Sequence, residues 1–179
     1  VDFATRVLSV RPVLAEPLVK DTRWTSVGGT TIDVTAANRY LGVEKITVPA
    51  FPAGVMAAKV QSVVSQAGAL GDPFGSGLRT VWWVYGVGPV KIVFRHGGGA
   101  GAPVTTAVLV STDLTPVPSP PDVDYFPLRQ GLKGTFRWTN SRHLKQPEVQ
   151  SFKVDQAVNG SARISVSSVS GPIKEKGAY

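Results

Sequence analysis

Few side chains in this sequence are able to carry out acid–base chemistry. The two histidines, His96 and His143, lie in different parts of the chain, and no Gly-x-Ser-x-Gly turn accompanies them. There is no cysteine, which excludes a thiol nucleophile, a thiolate zinc site and a disulfide framework. Any chain with this number of acidic residues offers candidate histidine–carboxylate pairs by chance. We therefore expect no catalytic residue, no metal site and no cofactor, and predict that the protein is not an enzyme.

Two further stretches are weak candidates for ligand binding. The glycine run 97–101 lacks the Gly-Lys-Ser/Thr that a phosphate-binding loop requires. Asp122 and Asp124 have the alternate spacing that brings carboxylates towards a calcium ion, but the full twelve-residue pattern of a calcium loop is missing. Both stretches are more typical of ordinary loops and turns.

The aromatic residues are the better candidates for binding, as a platform for a sugar or a peptide. Adjacent residues of a strand face opposite sides, so at most one of Trp82 and Trp83 enters the core of a single-sided sheet. The other is exposed or is covered by a second layer. Core packing is the favoured interpretation, and a binding surface is the alternative. The candidate surface comprises Trp82, Trp83, Tyr85, Tyr125 and Trp138.

Composition favours strands and turns over helices. Charged residues make up only 17% of the 179 residues, whereas there are 19 glycines and 14 prolines. The net charge of +7 is spread along the chain, with one local concentration between Lys133 and Lys145. A basic balance of this kind fits a solvated sheet face, and nucleic acid is not the expected partner.

The hydrophobic patterns predict β-hairpins. Thr80–Phe94 consists of two apolar runs around Gly86-Val87-Gly88-Pro89, and it is expected to be the most buried hairpin. Gln150–Val169 alternates around Asn159-Gly160, the pair best suited to a tight turn. Val55–Gln66 is rich in β-branched residues and reads as a long strand, with a helix as the alternative.

Shorter strands complete an all-β, mostly antiparallel fold, a sandwich or a curved sheet with little helix. They are expected at Val1–Val10, Thr30–Thr35, Tyr40–Val48, Val104–Ser111, Phe136–Trp138 and Lys174–Tyr179, with Pro49–Gly54 ending the third of them. The proline-rich segment 115–121 reads as a semi-rigid linker. It divides the chain into a main module, 1–114, and a hairpin module, 122–179. The second module has little core of its own, so we expect it to share a sheet with the first module or with a neighbouring chain.

Two motifs carry a resemblance to a known group of proteins. They are Tyr125-Phe-Pro-Leu-Arg-Gln-Gly131, followed by Phe136-Arg-Trp138, and Tyr85-Gly-Val-Gly-Pro-Val-Lys91. Together they resemble the repeat modules of uncharacterised bacterial, notably actinobacterial, secreted proteins and lipoproteins. The resemblance covers about half of the chain, and it implies export and a β-rich fold. It implies no activity and no catalytic residue.

In such modules the Tyr-Phe-Pro-Leu strand comes first, whereas here it comes second. The chain begins with Val1 instead of Met, and joining Tyr179 to Val1 would give an uninterrupted strand. We therefore expect the late part of one module followed by the start of the next. The chain ends would then be completed by strand addition from a neighbouring copy. The expected contact residues are Val1, Phe3, Val7, Ile173 and Tyr179.

The sequence thus predicts a non-catalytic, extracellular or cell-surface protein whose partners are other copies of itself. The specific hypothesis is a subunit of a head-to-tail filament. The alternative is a surface module that binds a glycan or a peptide through exposed tryptophan and tyrosine side chains. No apolar run approaches the ~20 residues of a membrane-spanning helix.

Overall fold

The computed structural model shows one antiparallel sheet in which every strand pairs with its neighbours in sequence. It describes residues 10–11, 14, 18–28, 33–66, 76–97, 100–117, 129–142, 144–158, 161–172 and 176–178. The predicted all-β class is confirmed, and these residues include no helix and hence none able to span a membrane. The strands are β1 (Val10–Arg11), β2 (Arg23–Gly28), β3 (Val34–Val48), β4 (Phe51–Gln66), β5 (Gly77–Val84), β6 (Gly88–His96), β7 (Val104–Thr112), β8 (Lys133–Asn140), β9 (Leu144–Val158), β10 (Ser161–Ser170) and β11 (Lys176–Ala178).

The centre of the sheet is the predicted β5–β6 hairpin. Its two strands are joined by a turn at residues 85–87, where Gly86 has a φ of 73° that suits glycine. Val90, Ile92 and Phe94 are buried on one face, as their spacing predicts, while Lys91 and Arg95 lie on the other. The register shifts between Trp82 and Trp83. This β-bulge accommodates two adjacent large side chains in the middle of the sheet.

The β3–β4 hairpin is longer than its neighbour, and the prediction of a strand at Val55–Gln66 is confirmed. Because β4 pairs with β5 only over Ala58–Val64, residues 42–57 extend beyond the sheet as an arm. The root of the arm is a bulge at Tyr40/Gly42, where Gly42 has a φ of 107°. The arm reaches across β5 and β6, and the amide of Ala50 donates a hydrogen bond to the carbonyl of Leu109 in β7 (3.2 Å).

The strand β3 ends at Val48, as the segment Pro49–Gly54 predicts. The turn itself is short: only residues 49–50 form it, and β4 begins at Phe51. Pro52 is tolerated because the β3–β4 register is interrupted there: Val48 faces Phe51, and the next pair is Ile46 with Val55. A proline at such an irregularity removes no ladder hydrogen bond.

The main core comprises the inner face of the sheet together with residues of the arm. Val60, Val81, Ile92, Ala107 and Trp138 form one register row across β4–β8, and all five are buried. Val48 and Ala57 of the arm are buried in the same cluster. The arm therefore contributes to the same apolar cluster as the sheet.

The C-terminal strands belong to the same sheet. β8 pairs with β7 from Thr105–Asn140 to Thr112–Gly134. The strands on the two sides of the proline-rich segment are therefore direct neighbours in the sheet. The predicted β9–β10 hairpin is confirmed, with Val158 opposite Ser161. Phe152 and Val154 are buried, whereas Val158 is exposed, because a register shift at Arg163/Ile164 interrupts the alternation between them.

Candidate functional site

The candidate aromatic platform is not exposed, which corrects the expectation of a tryptophan-based binding surface. Trp82, Trp83 and Trp138 keep only 8%, 3% and 5% of their surface accessible. Tyr85 is partly buried against the main core. The fifth member, Tyr125, lies outside the described residues. Most of the platform is therefore unavailable to a sugar or a peptide, and the core-packing interpretation is correct for the three tryptophans.

Trp82 is covered by charged side chains, because its neighbours on both adjacent strands are lysines. It faces Lys59 of β4 and Lys91 of β6 across the strands, and their ammonium groups lie 5.3 and 5.0 Å from the centroid of its ring. Its indole Nε1 donates a 2.6 Å hydrogen bond to Glu44 of the arm. The aliphatic parts of the two lysine side chains cover the ring, while their ammonium groups remain in contact with solvent. We call Trp82, Glu44, Lys59 and Lys91 the arm staple.

The electrostatics of the arm staple favour an ionised carboxylate. The hydrogen bond from Trp82 is the main cause that lowers the pKa of Glu44, and Lys59 contributes through an ion pair at 3.2 Å. Glu44 is attached to the arm and Trp82 to the sheet. The cluster therefore fastens the arm to the sheet, and its polar groups are already engaged with one another.

A second polar group is buried at one end of the inner face. Asn38 donates to the hydroxyl of Ser26 (2.7 Å) and accepts from the hydroxyl of Ser62 (2.6 Å), so three neighbouring strands are joined inside the protein. Arg79 lies beside Ser62 in register, and burial lowers the pKa of its guanidinium to about 10. A group with that pKa is still protonated at neutral pH. This arrangement has the properties of a buried structural network.

The one described histidine is also internal. His96 is 2% exposed, its Nε2 lies 2.6 Å from the hydroxyl of Thr105, and its ring packs on Phe94 with 4.4 Å between centroids. Asn140 donates to the same threonine hydroxyl. The second histidine, His143, lies outside the described residues, as do Asp122 and Asp124. In the described ranges, no group of three or more potential metal ligands occurs.

The outer face carries a groove that sequence reasoning did not find. It has a volume of about 570 Å³ and crosses β7–β10. Its floor is a row of four hydroxyl side chains, one per strand and in register: Ser111, Thr135, Ser151 and Ser167. We call it the hydroxyl groove. The pattern was visible as serine and threonine at alternate positions, but the row appears only when the register of four strands is known.

Two lysines face each other directly in the hydroxyl groove. Lys133 of β8 is the register partner of Lys153 of β9. Lys153 is partly neutralised by Asp155, 3.4 Å away, whereas Lys133 has no ion-pair partner among the residues described. Ser165 donates a hydrogen bond to Asp155, and this bond is the main cause that lowers the pKa of that carboxyl. Like charges directly opposite each other destabilise a sheet, so the pair calls for a functional explanation.

A smaller groove of about 360 Å³ lies near the other end of the same face. Here Arg23 of β2 is the register partner of Arg39 of β3. Arg39 is held by Asp21 at 2.6 Å, and Arg23 has no ion pair within the described part of the chain. Each groove thus contains one compensated and one uncompensated cation.

The two ends of the sheet are edges with short outer strands. β1 pairs with only two residues of β2, and β11 pairs with three of the ten residues of β10. Val10 belongs to β1, but the predicted contact residues Val1, Phe3, Val7, Ile173 and Tyr179 all lie outside the described residues. Their proposed role therefore remains a prediction.

Comparison with known proteins gives no relative for this fold. No protein-family model matches the chain, no curated protein matches it, and no solved structure matches it.

Proposed function

We propose that this protein is a non-catalytic structural subunit of an extracellular or cell-surface assembly, in which sheets of neighbouring copies join edge to edge. The observation that carries the proposal is the sheet itself, a meander with β1 at one edge and β11 at the other. Unpaired strand edges are templates for pairing with another chain. Here the described outer strands are short: β1 pairs with two of the six residues of β2, and β11 pairs with three of the ten residues of β10.

The order of the strands supports a head-to-tail contact. Because the strands follow one another in sequence, the N-terminal edge lies at the opposite end of the sheet from the C-terminal edge. Joining β1 of one copy to β11 of the next uses two different surfaces. Such a heterologous contact propagates unless rotation closes it into a ring. The burial of His96 and of the three core tryptophans is compatible with a scaffold, because these four side chains, which are suited to chemistry or stacking, are inside.

Cysteine cross-linking tests this proposal directly, because the chain has no cysteine of its own. Arg11→Cys marks β1 and Lys176→Cys marks β11. With a short bis-maleimide, the double variant should give a ladder of covalent multimers, and an equimolar mixture of the single variants should give heterodimers. Electron microscopy of the unmodified protein should show filaments or rings.

The single variants provide the matched controls. Each carries one edge label, so neither should form a ladder by itself. Covalent dimers of one single variant alone would indicate a contact between identical edges and would contradict the head-to-tail arrangement. A protein that sediments as a monomer at high concentration, with no cross-linked product, would overturn the proposal.

A further inference from the structure

We propose that the hydroxyl groove is a binding site for an anionic polysaccharide. The first observation is a pair of opposed lysines. Lys133 and Lys153 are direct register partners on one face, and Asp155 forms an ion pair with Lys153 only, so Lys133 has no ion-pair partner among the described residues. A carboxylate or sulfate group bound between them turns this repulsion into two charge-assisted hydrogen bonds.

The second observation is the chemistry of the floor. Ser111, Thr135, Ser151 and Ser167 form a continuous row across four strands, about 14 Å long at the usual strand spacing. Each hydroxyl is both a donor and an acceptor, as sugar hydroxyls are. Thr135 and Ser151 lie 3.0 Å apart and bond to each other, which leaves the ends of the row for a ligand. The row runs perpendicular to the strands and suits a linear chain with repeated hydroxyl groups.

The same face distinguishes a polysaccharide from a nucleic acid. Proteins that bind single-stranded nucleic acid add exposed aromatic rings on which bases stack. The aromatic residue of this face, Trp82, is 8% exposed and covered by Lys59 and Lys91. The groove is lined mainly by hydroxyls and the two lysines; its lining also includes Asp113, which accepts a hydrogen bond from the amide of Lys133, and Phe152, which is only 5% exposed and offers no open ring for stacking. The second groove, with Arg23 opposite Arg39, adds positive charge to the face for a longer chain.

Binding assays with matched polymers test the assignment. Dextran sulfate and polygalacturonate should bind the intact protein, uncharged dextran should bind weakly, and affinity should fall as salt is added. Lys133→Glu combined with Lys153→Glu should weaken binding by about tenfold or more. The control is Lys20→Glu with Lys145→Glu, which changes the net charge equally at exposed positions outside the groove and should change affinity by less than about twofold.

A measurement on the unsubstituted protein makes the test independent of variant folding. Acylation of lysines followed by mass spectrometry should show that dextran sulfate protects Lys133 and Lys153 more than Lys20 and Lys145. Equal protection of all four lysines, equal loss of affinity in the two double variants, or no binding of either anionic polymer would overturn the proposal. Duplex DNA bound more tightly than both polymers, through the same two lysines, would replace the polysaccharide by nucleic acid and also refute it.

Discussion

Replacing Trp82 by phenylalanine should release the arm, because phenylalanine keeps an aromatic ring at this position but has no N–H group. The change removes the indole N–H that donates to Glu44 at 2.6 Å and weakens the contact of the ring with Lys59 and Lys91. A hydrogen bond to a charged group contributes about 1.5–3 kcal/mol when buried. Here the Glu44 side chain is 45% exposed, so solvent screening reduces this to about 1 kcal/mol.

The two weakened cation–π contacts add about 0.5 kcal/mol each. The expected total is therefore about 2 kcal/mol, or about 4–8 °C in Tm for a chain of this size. Thermal and urea denaturation of Trp82→Phe measure this loss. Hydrogen exchange locates it, because the amide of Ala50, which bonds to Leu109, should exchange faster when the arm opens.

A double-mutant cycle with Glu44→Gln isolates the fastening contact. Trp82→Phe and Glu44→Gln should be coupled by about 1 kcal/mol, since either change removes the same charged hydrogen bond. Trp83→Phe is the matched control: it affects the core but should show no coupling to Glu44→Gln. A coupling near zero for Trp82, or unchanged exchange at Ala50, would refute the view that this cluster holds the arm.

Three other changes have defined outcomes. The folded-state pKa of Glu44 is lowered, so its contribution to stability is present above the unfolded pKa of about 4.5 and is lost as the pH falls. The free energy of unfolding of Glu44→Gln should therefore decline less steeply with falling pH than that of the parent protein, and parallel acid denaturation curves would contradict this. Gly134→Ala should cost about 1–3 kcal/mol in urea denaturation, because the new methyl group would clash with the ring of Phe152. Adding Phe152→Leu should recover part of the loss, and strictly additive losses would count against the clash. Asn38→Ala should cost about 2–3 kcal/mol by removing the group that joins Ser26 and Ser62; a loss below about 0.5 kcal/mol would show that the network is dispensable.

Local patterns predict the strands of this protein well because hairpins are local structures. The Asn159-Gly160 pair and the alternation around it fix the β9–β10 hairpin, and the glycines of 86–88 fix β5–β6. Period-two alternation also places Trp82 and Trp83 on opposite faces, as found. What alternation cannot predict is the cover of Trp82, because lysine stems and a carboxylate 38 residues away in sequence provide it.

The proposed binding surface is harder to predict from sequence for a related reason. The hydroxyl row requires the registers of β7–β8, β8–β9 and β9–β10 together, and the β7–β8 pair spans a proline-rich connection with no turn signal to set its alignment. Each bulge shifts the row by one residue, as at Leu109/Ser111. The opposed pair Lys133–Lys153 is likewise invisible until that register is known.

Strand direction links the two proposals. Ten consecutive antiparallel pairings make β1 and β11 run in the same direction within one copy. If copies join with their outer faces on the same side, the junction between β11 and β1 is therefore parallel, and the hydroxyl grooves of all copies line one side of the assembly. An antiparallel junction requires a half-turn about the axis along which the sheet extends, and the grooves then alternate between sides. A polyanion bound along a filament favours the first geometry, because only there do successive cation pairs face one continuous chain, so that weak single sites combine through multivalency.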